Sequence, residues 1–91
     1  MPSLAFESRY SSAYRTFTKR NKQRAWAIDE ALRLFVRNPN HPSLHLEKLR
    51  SSEVWTIRID QGNRLFFIWS NSGDTAIFFF VGPHDAYRTL G

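Results

Sequence analysis

Residues 54–91 read VWTIRI (54–59), DQGN (60–63), RLFFIWS (64–70), NSGD (71–74), TAIFFFVG (75–82) and PHDAYRTLG (83–91). Three apolar runs of strand length are separated by two short turn clusters, the pattern of successive β-hairpins. The register of the first hairpin follows from where its charges must go. A three-residue loop Asp60-Gln61-Gly62, with Gly62 in the left-handed conformation, sets Ile59 opposite Asn63 and Arg58 opposite Arg64. One face then carries Val54, Thr56, Arg58, Arg64, Phe66 and Ile68. The other carries Trp55, Ile57, Ile59, Leu65, Phe67 and Trp69, all apolar, and is the face expected to pack on helices. A loop of two or four residues would drive Arg64 into that core, where an unpaired cation is costly.

The third run is apolar on both faces, Ile77, Phe79 and Val81 against Ala76, Phe78 and Phe80. That pattern predicts a central strand over Thr75–Val81 covered on both sides, by this chain or, on one aromatic face, by a partner protein. Gly82-Pro83 is expected to break it and to bring His84, Asp85 and Tyr87 across its end. The chemistry of the chain is expected there.

Upstream, Ser3-Leu4-Ala5-Phe6-Glu7 alternates and predicts a short first strand, followed by Ser8 as a helix N-cap. Tyr10, Ala13, Tyr14 and Phe17 form one helical face over about residues 8–18. After a basic joint from Thr18 to Lys22, Ala25, Ile28, Leu32, Phe35 and Val36 share the face of a second helix. Asn38-Pro39 ends that helix, because the residue before proline is pushed out of the α region. Trp26 lies off this stripe among Glu30, Arg33 and Arg37. It is either an exposed partner-binding anchor or a ring packed under neighbouring arginine stems or the chain terminus. Leu44 to Leu49 reads as a short strand or extended lead-in carrying His45, Glu47 and Lys48.

Composition limits the function classes. The chain has 91 residues, 42% hydrophobic and 15% aromatic, which excludes a disordered segment and fits a single packed domain over residues 1–91. With no cysteine there is neither a disulfide framework nor a thiolate zinc site. His41 and His45 lie four apart in a proline-rich loop with no third ligand nearby, so they do not read as a metal pair. The N-terminus lacks the pattern of a signal peptide and no apolar run is long enough to span a membrane, so a cytoplasmic protein is expected. Residues 1–50 hold ten Lys/Arg against four Asp/Glu, while residues 51–91 hold three against four. The basicity therefore belongs to the first half, where Arg15, Lys19, Arg20, Lys22 and Arg24 crowd together. Such a cluster suits RNA or an acidic protein partner, or is simply a solvated helical tip.

On the open face and exit of the expected sheet stand Arg58, Arg64 and His84, with Tyr87 nearby and Glu47, Lys48 or His45 arriving from the preceding segment. Arginines bind phosphate in a bidentate manner, and histidine exchanges protons near neutral pH. Cleavage of RNA needs a base for the 2′-hydroxyl, an acid for the departing 5′-oxygen and cations for the pentacoordinate phosphate. This set of side chains can supply all three.

The order of two helices, a His-Pro loop, HLEKLRSSEVWTIRIDQGNRLFFIW and FFFVGPHDAYRTL resembles the RelE/ParE toxin superfamily of bacterial toxin–antitoxin systems, in its RelE/YafQ-like mRNA interferase branch. The resemblance covers about residues 4–90. It implies an α+β fold, with two N-terminal helices packed on a small twisted, mainly antiparallel sheet and a short C-terminal turn or helix. It also implies an endoribonuclease needing no metal or cofactor, acting on mRNA at the ribosome and neutralised by a cognate antitoxin. His84 matches the C-terminal catalytic histidine or arginine, Tyr87 the aromatic near the scissile bond, and Arg64 the arginine after the turn. Arg58 matches a basic position on the preceding strand, and Glu47, or else His45, the general base. The basic residues Arg15, Lys19, Arg20, Lys22, Arg24, Lys48 and Arg50 would then hold RNA. Three departures stand out: Ser51-Ser52-Glu53 where glycine is usual, Thr56 where one branch has lysine, and Asn63 in place of tyrosine or aspartate. A gyrase-poisoning ParE-like toxin and a non-catalytic binding relative are the alternatives.

Overall fold

A computed structural model describes residues 1–86. The elements run β1 (Ser3–Phe6), α1 (Ser8–Thr18), α2 (Lys22–Arg37), a 3-10 turn (Pro42–Leu44), β2 (Glu47–Lys48), β3 (Trp55–Arg58), β4 (Asn63–Trp69), β5 (Thr75–Pro83) and a 3-10 turn (His84–Ala86). The five strands form one sheet in the order β1-β5-β4-β3-β2. Only the β1–β5 pairing is parallel. The rest are antiparallel. Two helices on a mainly antiparallel sheet is the expected α+β architecture.

The expected hairpin register holds. Ile57 stands opposite Leu65 and Arg58 opposite Arg64, and the Ile59 amide donates to the Asn63 carbonyl at 3.2 Å. The means of making the loop differ from expectation, because Gly62 does not take a positive φ. Asp60 closes the turn instead. Its carboxylate accepts from the Gly62 amide at 3.0 Å and from the Asn63 side-chain amide at 2.9 Å. An aspartate that bonds the backbone two residues on mimics a turn, so glycine need not go left-handed.

Ile57, Leu65 and Phe67 are buried in the main core with Phe35, Ile28, Ala31 and Phe17, and Trp55, Ile59 and Trp69 pack against it. Phe35 sits at the centre, with ring centroids 5.3 Å from Phe67, 5.9 Å from Trp69 and 5.8 Å from Phe78. Replacing it with alanine is expected to cost about 3–5 kcal/mol.

β5 departs from the simple alternation of the sequence. Its register against β4 shifts between Phe66 and Phe67, so that Phe66 faces Phe80 while Phe67 faces Phe78. The extra residue, Phe79, reverses the parity of the rest of the strand. Val81 therefore joins Ala76 and Phe78 in the core, and Phe80 takes the side of Phe66, contrary to the strict period of two. The strand also runs through Gly82 and Pro83 rather than breaking there. Gly82 is needed, since a Cβ at that position would lie 2.7 Å from a ring carbon of Phe80.

Three smaller differences concern element ends. The residue capping α1 is Glu7 and not Ser8; its side chain makes no cap bond and pairs with Arg9 at 2.7 Å. The lead-in from Leu44 to Leu49 contributes only Glu47 and Lys48 to the sheet, because His45 takes a left-handed backbone, φ 47°. Ser51, where the resembled family has glycine nearby, adopts φ 59° and so makes the turn without one. α2 ends at Asn38 as expected, whose amide donates to the Leu34 carbonyl at 2.8 Å.

Candidate functional site

Cross-strand pairs share a face, so register alone places most of the candidate residues. Glu47 pairs with Thr56, Thr56 with Phe66, and Arg58 with Arg64. All five stand on the face opposite Ile57, Leu65 and Phe67, which points away from the helices. Glu47, Arg58 and Arg64 are thus brought together on three adjacent strands. Lys48 pairs with Trp55 and falls on the opposite face, apart from Glu47. His45 would stand opposite Arg58 if β2 continued, but its left-handed backbone ends the pairing at Glu47. Glu47 is therefore the better placed of the two candidate bases.

Arg64 is only 7% exposed, and its Nη1 donates to the carbonyls of Asp60 (3.1 Å), Gln61 (3.4 Å) and Asn63 (3.0 Å). The guanidinium thus gathers the carbonyls of the β3–β4 turn. Burial, and then the charge of Arg58, push its pKa below the ordinary arginine value, while Glu47 and Asp60 pull it back up. Even so, an arginine remains protonated at neutral pH. Two like charges are held close here, with the carboxylates of Glu47 and Asp60 beside them. Arg58 carries the sharper sign of an unmet need. Its Nε is buried and has no hydrogen-bond partner among the described residues. A buried donor left in this state costs free energy unless an acceptor arrives.

His84 begins the 3-10 turn after β5, and its amide donates to the Gly62 carbonyl at 2.9 Å. One three-residue turn therefore anchors two candidates, Arg64 through its guanidinium and His84 through its backbone. Tyr87, the remaining catalytic candidate, lies outside the described residues.

The basic cluster sits at the joint between α1 and α2, where Arg20 takes φ 56°. Arg15, Lys19, Arg20 and Lys22 are exposed. Arg24 is partly committed to the fold. Its Nη1 donates to the Phe17 carbonyl at 3.1 Å and its guanidinium lies 4.4 Å from the centre of the Phe17 ring, which locks the start of α2 to the end of α1. Arg50 is exposed in the β2–β3 turn. The α1–α2 joint lies at the same end of the molecule as the site, since Lys22, Arg24, Trp26 and Asp60 line one groove. Trp26 is 66% exposed, so its ring is not packed under arginine stems.

Two features are not evident from the sequence. Asp60 reads there as a generic turn residue, although its carboxylate fixes the turn that carries Arg64 and His84. Asn63 reads as a departure from pattern, although its side chain is the second donor to that carboxylate. The Asp-x-Gly-Asn spacing is the available signal. Among the described residues no cluster of three His, Cys, Asp or Glu side chains stands where a metal ion could be held. No helix among them is long and apolar enough to cross a membrane.

No protein-family model matches the chain, and no curated protein matches it significantly by sequence. The fold has close counterparts among solved structures. YafQ from E. coli strain BL21(DE3) superposes with a TM-score of 0.75 at 15% identity, covering 96% of this chain and 98% of that one. A YoeB/ParE toxin from Agrobacterium tumefaciens gives 0.73 at 19% identity, covering 90% and 98%. The heterotetrameric YoeB–YefM toxin–antitoxin complex from Staphylococcus aureus gives 0.69 at 21% identity, covering 92% and 98%. The architecture is therefore that of the RelE/ParE toxins.

Proposed function

We propose that this chain, as a single RelE-like domain, is the toxin of a type II toxin–antitoxin system, an endoribonuclease that cuts mRNA on the ribosome in the cytoplasm. The observation that carries the reading is the meeting of Glu47, Arg58 and Arg64 on one sheet face, with His84 tied to the adjoining turn. The Nε of Arg58 is buried and unpartnered among the described residues, so a guanidinium that turns toward an incoming phosphate breaks no Nε bond in doing so. The shared fold with YafQ and YoeB supports the same class.

In the proposed reaction Glu47 or His84 takes the proton of the 2′-hydroxyl, whose oxygen then attacks the adjacent phosphorus. The bond to the 5′-oxygen breaks, and His84 returns a proton to that leaving group. Arg58 meets the charge that builds on the phosphorane, and Arg64 adds potential while holding the turn in place. Tyr87 completes the set. Exposed Arg15, Lys19, Arg20 and Lys22, with Arg24, Lys48 and Arg50 around them, hold the RNA backbone. A cognate antitoxin neutralises the toxin, as the Staphylococcus aureus complex of this fold suggests. Its docking surface is the apolar groove of about 570 Å³ between the helices, lined by Tyr10, Tyr14, Ile28, Leu32 and the exposed Phe6.

One observation favours a second reading, a non-catalytic relative that only binds. Arg64 is buried and bonded to three carbonyls, the environment of a structural arginine. Regulated expression of the wild type and His84→Ala in bacteria, with mRNA 5′ ends mapped by primer extension, separates the two. Loss of general acid–base catalysis should slow cleavage about 10²- to 10⁴-fold. New mRNA ends and growth arrest with the wild type alone, at equal soluble yield, support the nuclease. An equally toxic mutant supports the binding protein. Arrest with DNA damage and intact mRNA points instead to a gyrase poison.

A further inference from the structure

The sequence offers Trp26 either as an exposed partner-binding anchor or as a packed ring, and the structure leaves it 66% exposed on α2. On the helix surface its neighbours three and four residues away include Lys22 and Gln23 on one side and Asp29 and Glu30 on the other. Trp26 and Ala27 line two grooves at once. The first, about 730 Å³, runs from Lys22 and Arg24 across to Asp60 of the β3–β4 turn. The second, about 400 Å³, runs past Glu30 and Arg37 to Arg58 and Ile59 of β3. Both volumes are of ligand-binding size. One groove thus ends at the turn that holds Arg64 and His84, and the other ends at Arg58.

A single exposed tryptophan needs no explanation. A tryptophan at the junction of two grooves that both lead to a phosphate-binding site does. We infer that Trp26 is a stacking platform for one base of single-stranded RNA, a subsite next to the cleavage site. This rests on the nuclease reading above and extends it.

The charges around the ring decide how the strand lies. Lys22 and Arg24 of α2 line the first groove together with Asp60 of the β3–β4 turn. Phosphate is drawn to the two cations and away from the carboxylate, so the backbone follows Lys22 and Arg24 while the base covers the indole. Arg24 keeps its bond to the Phe17 carbonyl and acts as a fixed charge, whereas Lys22 is exposed and able to follow a phosphate. An aromatic face with cations beside it suits any base, because every base has a π-face. An acidic peptide is the rival occupant. It is disfavoured because its carboxylates, though they would meet the same cations, have no use for the stacking face.

The test uses the full chain and a single-stranded ten-nucleotide RNA carrying 2′-O-methyl groups, which has no nucleophile and is not cut. Tryptophan emission should fall on binding, and Trp26→Phe should remove most of that signal, since Trp55 and Trp69 pack against the core. Trp26→Ala should weaken binding on the order of 5- to 100-fold and leave the salt dependence unchanged. Lys22→Ala should instead lower the slope of log affinity against log salt by about one. Trp26→Ala binding as tightly as the wild type overturns the subsite. So does a wild type that cuts mRNA in cells yet shows no change in tryptophan emission with the oligonucleotide. A wild type that neither binds RNA nor produces new mRNA ends defeats the nuclease reading itself, a different result from failure of the subsite alone.

Discussion

The two hairpin turns of the sheet are built with the same local chemistry and put to different uses. In the β3–β4 turn the Asp60 carboxylate accepts from Gly62 and Asn63, and the turn's own carbonyls face outward to Arg64 and to the amide of His84. In the β4–β5 turn the Asp74 carboxylate accepts from the hydroxyls of Ser70 (3.3 Å), Ser72 (2.6 Å) and Thr75 (3.2 Å), and Gly73 takes φ 79°. That second turn serves the sheet. Its bonds run among its own residues and to the amide of Ser3 at the start of β1. The two turns differ in what claims their carbonyls, the candidate site residues Arg64 and His84 in one and the first residue of β1 in the other.

The comparison can be broken most severely at Arg64. Arg64→Ala removes a buried side chain and the donor shared by three carbonyls of a partly exposed turn, and is expected to cost about 2–3 kcal/mol, read as a fall in the urea midpoint. Arg64→Lys should recover only part of this, because all three carbonyls accept from Nη1 and a lysine side chain ends one bond short of it. Gly73→Ala acts on the other turn. A left-handed alanine costs about 1–2 kcal/mol, and RNA cleavage should remain at the wild-type level. The smallest expected effect is that of acid on Asp74. Its bonds to the hydroxyls of Ser72, Thr75 and Ser70 hold its pKa below the ordinary aspartate value. A depressed carboxylate pKa means that the stabilisation is fully present above the unfolded value, about 3.9, and is lost as pH falls through the folded one. The stability difference between wild type and Asp74→Ala should therefore be constant near neutral pH and shrink below about pH 4.

The same contrast explains what was legible in the sequence. The face assignment of Trp55, Ile57, Leu65 and Phe67 followed from alternation and from the cost of burying Arg64, and the register of the first hairpin came with it. The helices followed from the stripes that include Tyr10, Phe17, Ile28 and Phe35. The bulge at Phe79 was not legible, because in a run of apolar residues every parity looks alike. The use of Asp60 in place of a left-handed Gly62 was hidden too, since both devices produce the same register. In the candidate site, Arg58 and Arg64 were legible as a shared face, while Glu47 was one of three residues arriving beside it, and the tie from His84 to Gly62 depends on how far β5 runs. Proline at position 83 suggested an earlier end than the strand reaches. Lys48 and His45 were misplaced for a related reason: a two-residue strand is too short to show its parity in sequence.

The central claim is that the Asp60–Gly62 turn assembles the site, whereas the Asp74 turn serves only the fold. The direct measurement is the rate of mRNA cleavage by Asp60→Ala and by Asp74→Ala, each compared with the wild type at equal soluble yield. Displacing Arg64 and His84 by about 1 Å should cost on the order of a hundredfold. The account predicts that loss for Asp60→Ala and wild-type cleavage for Asp74→Ala. Equal rates for the two variants, whether both high or both low, would contradict it.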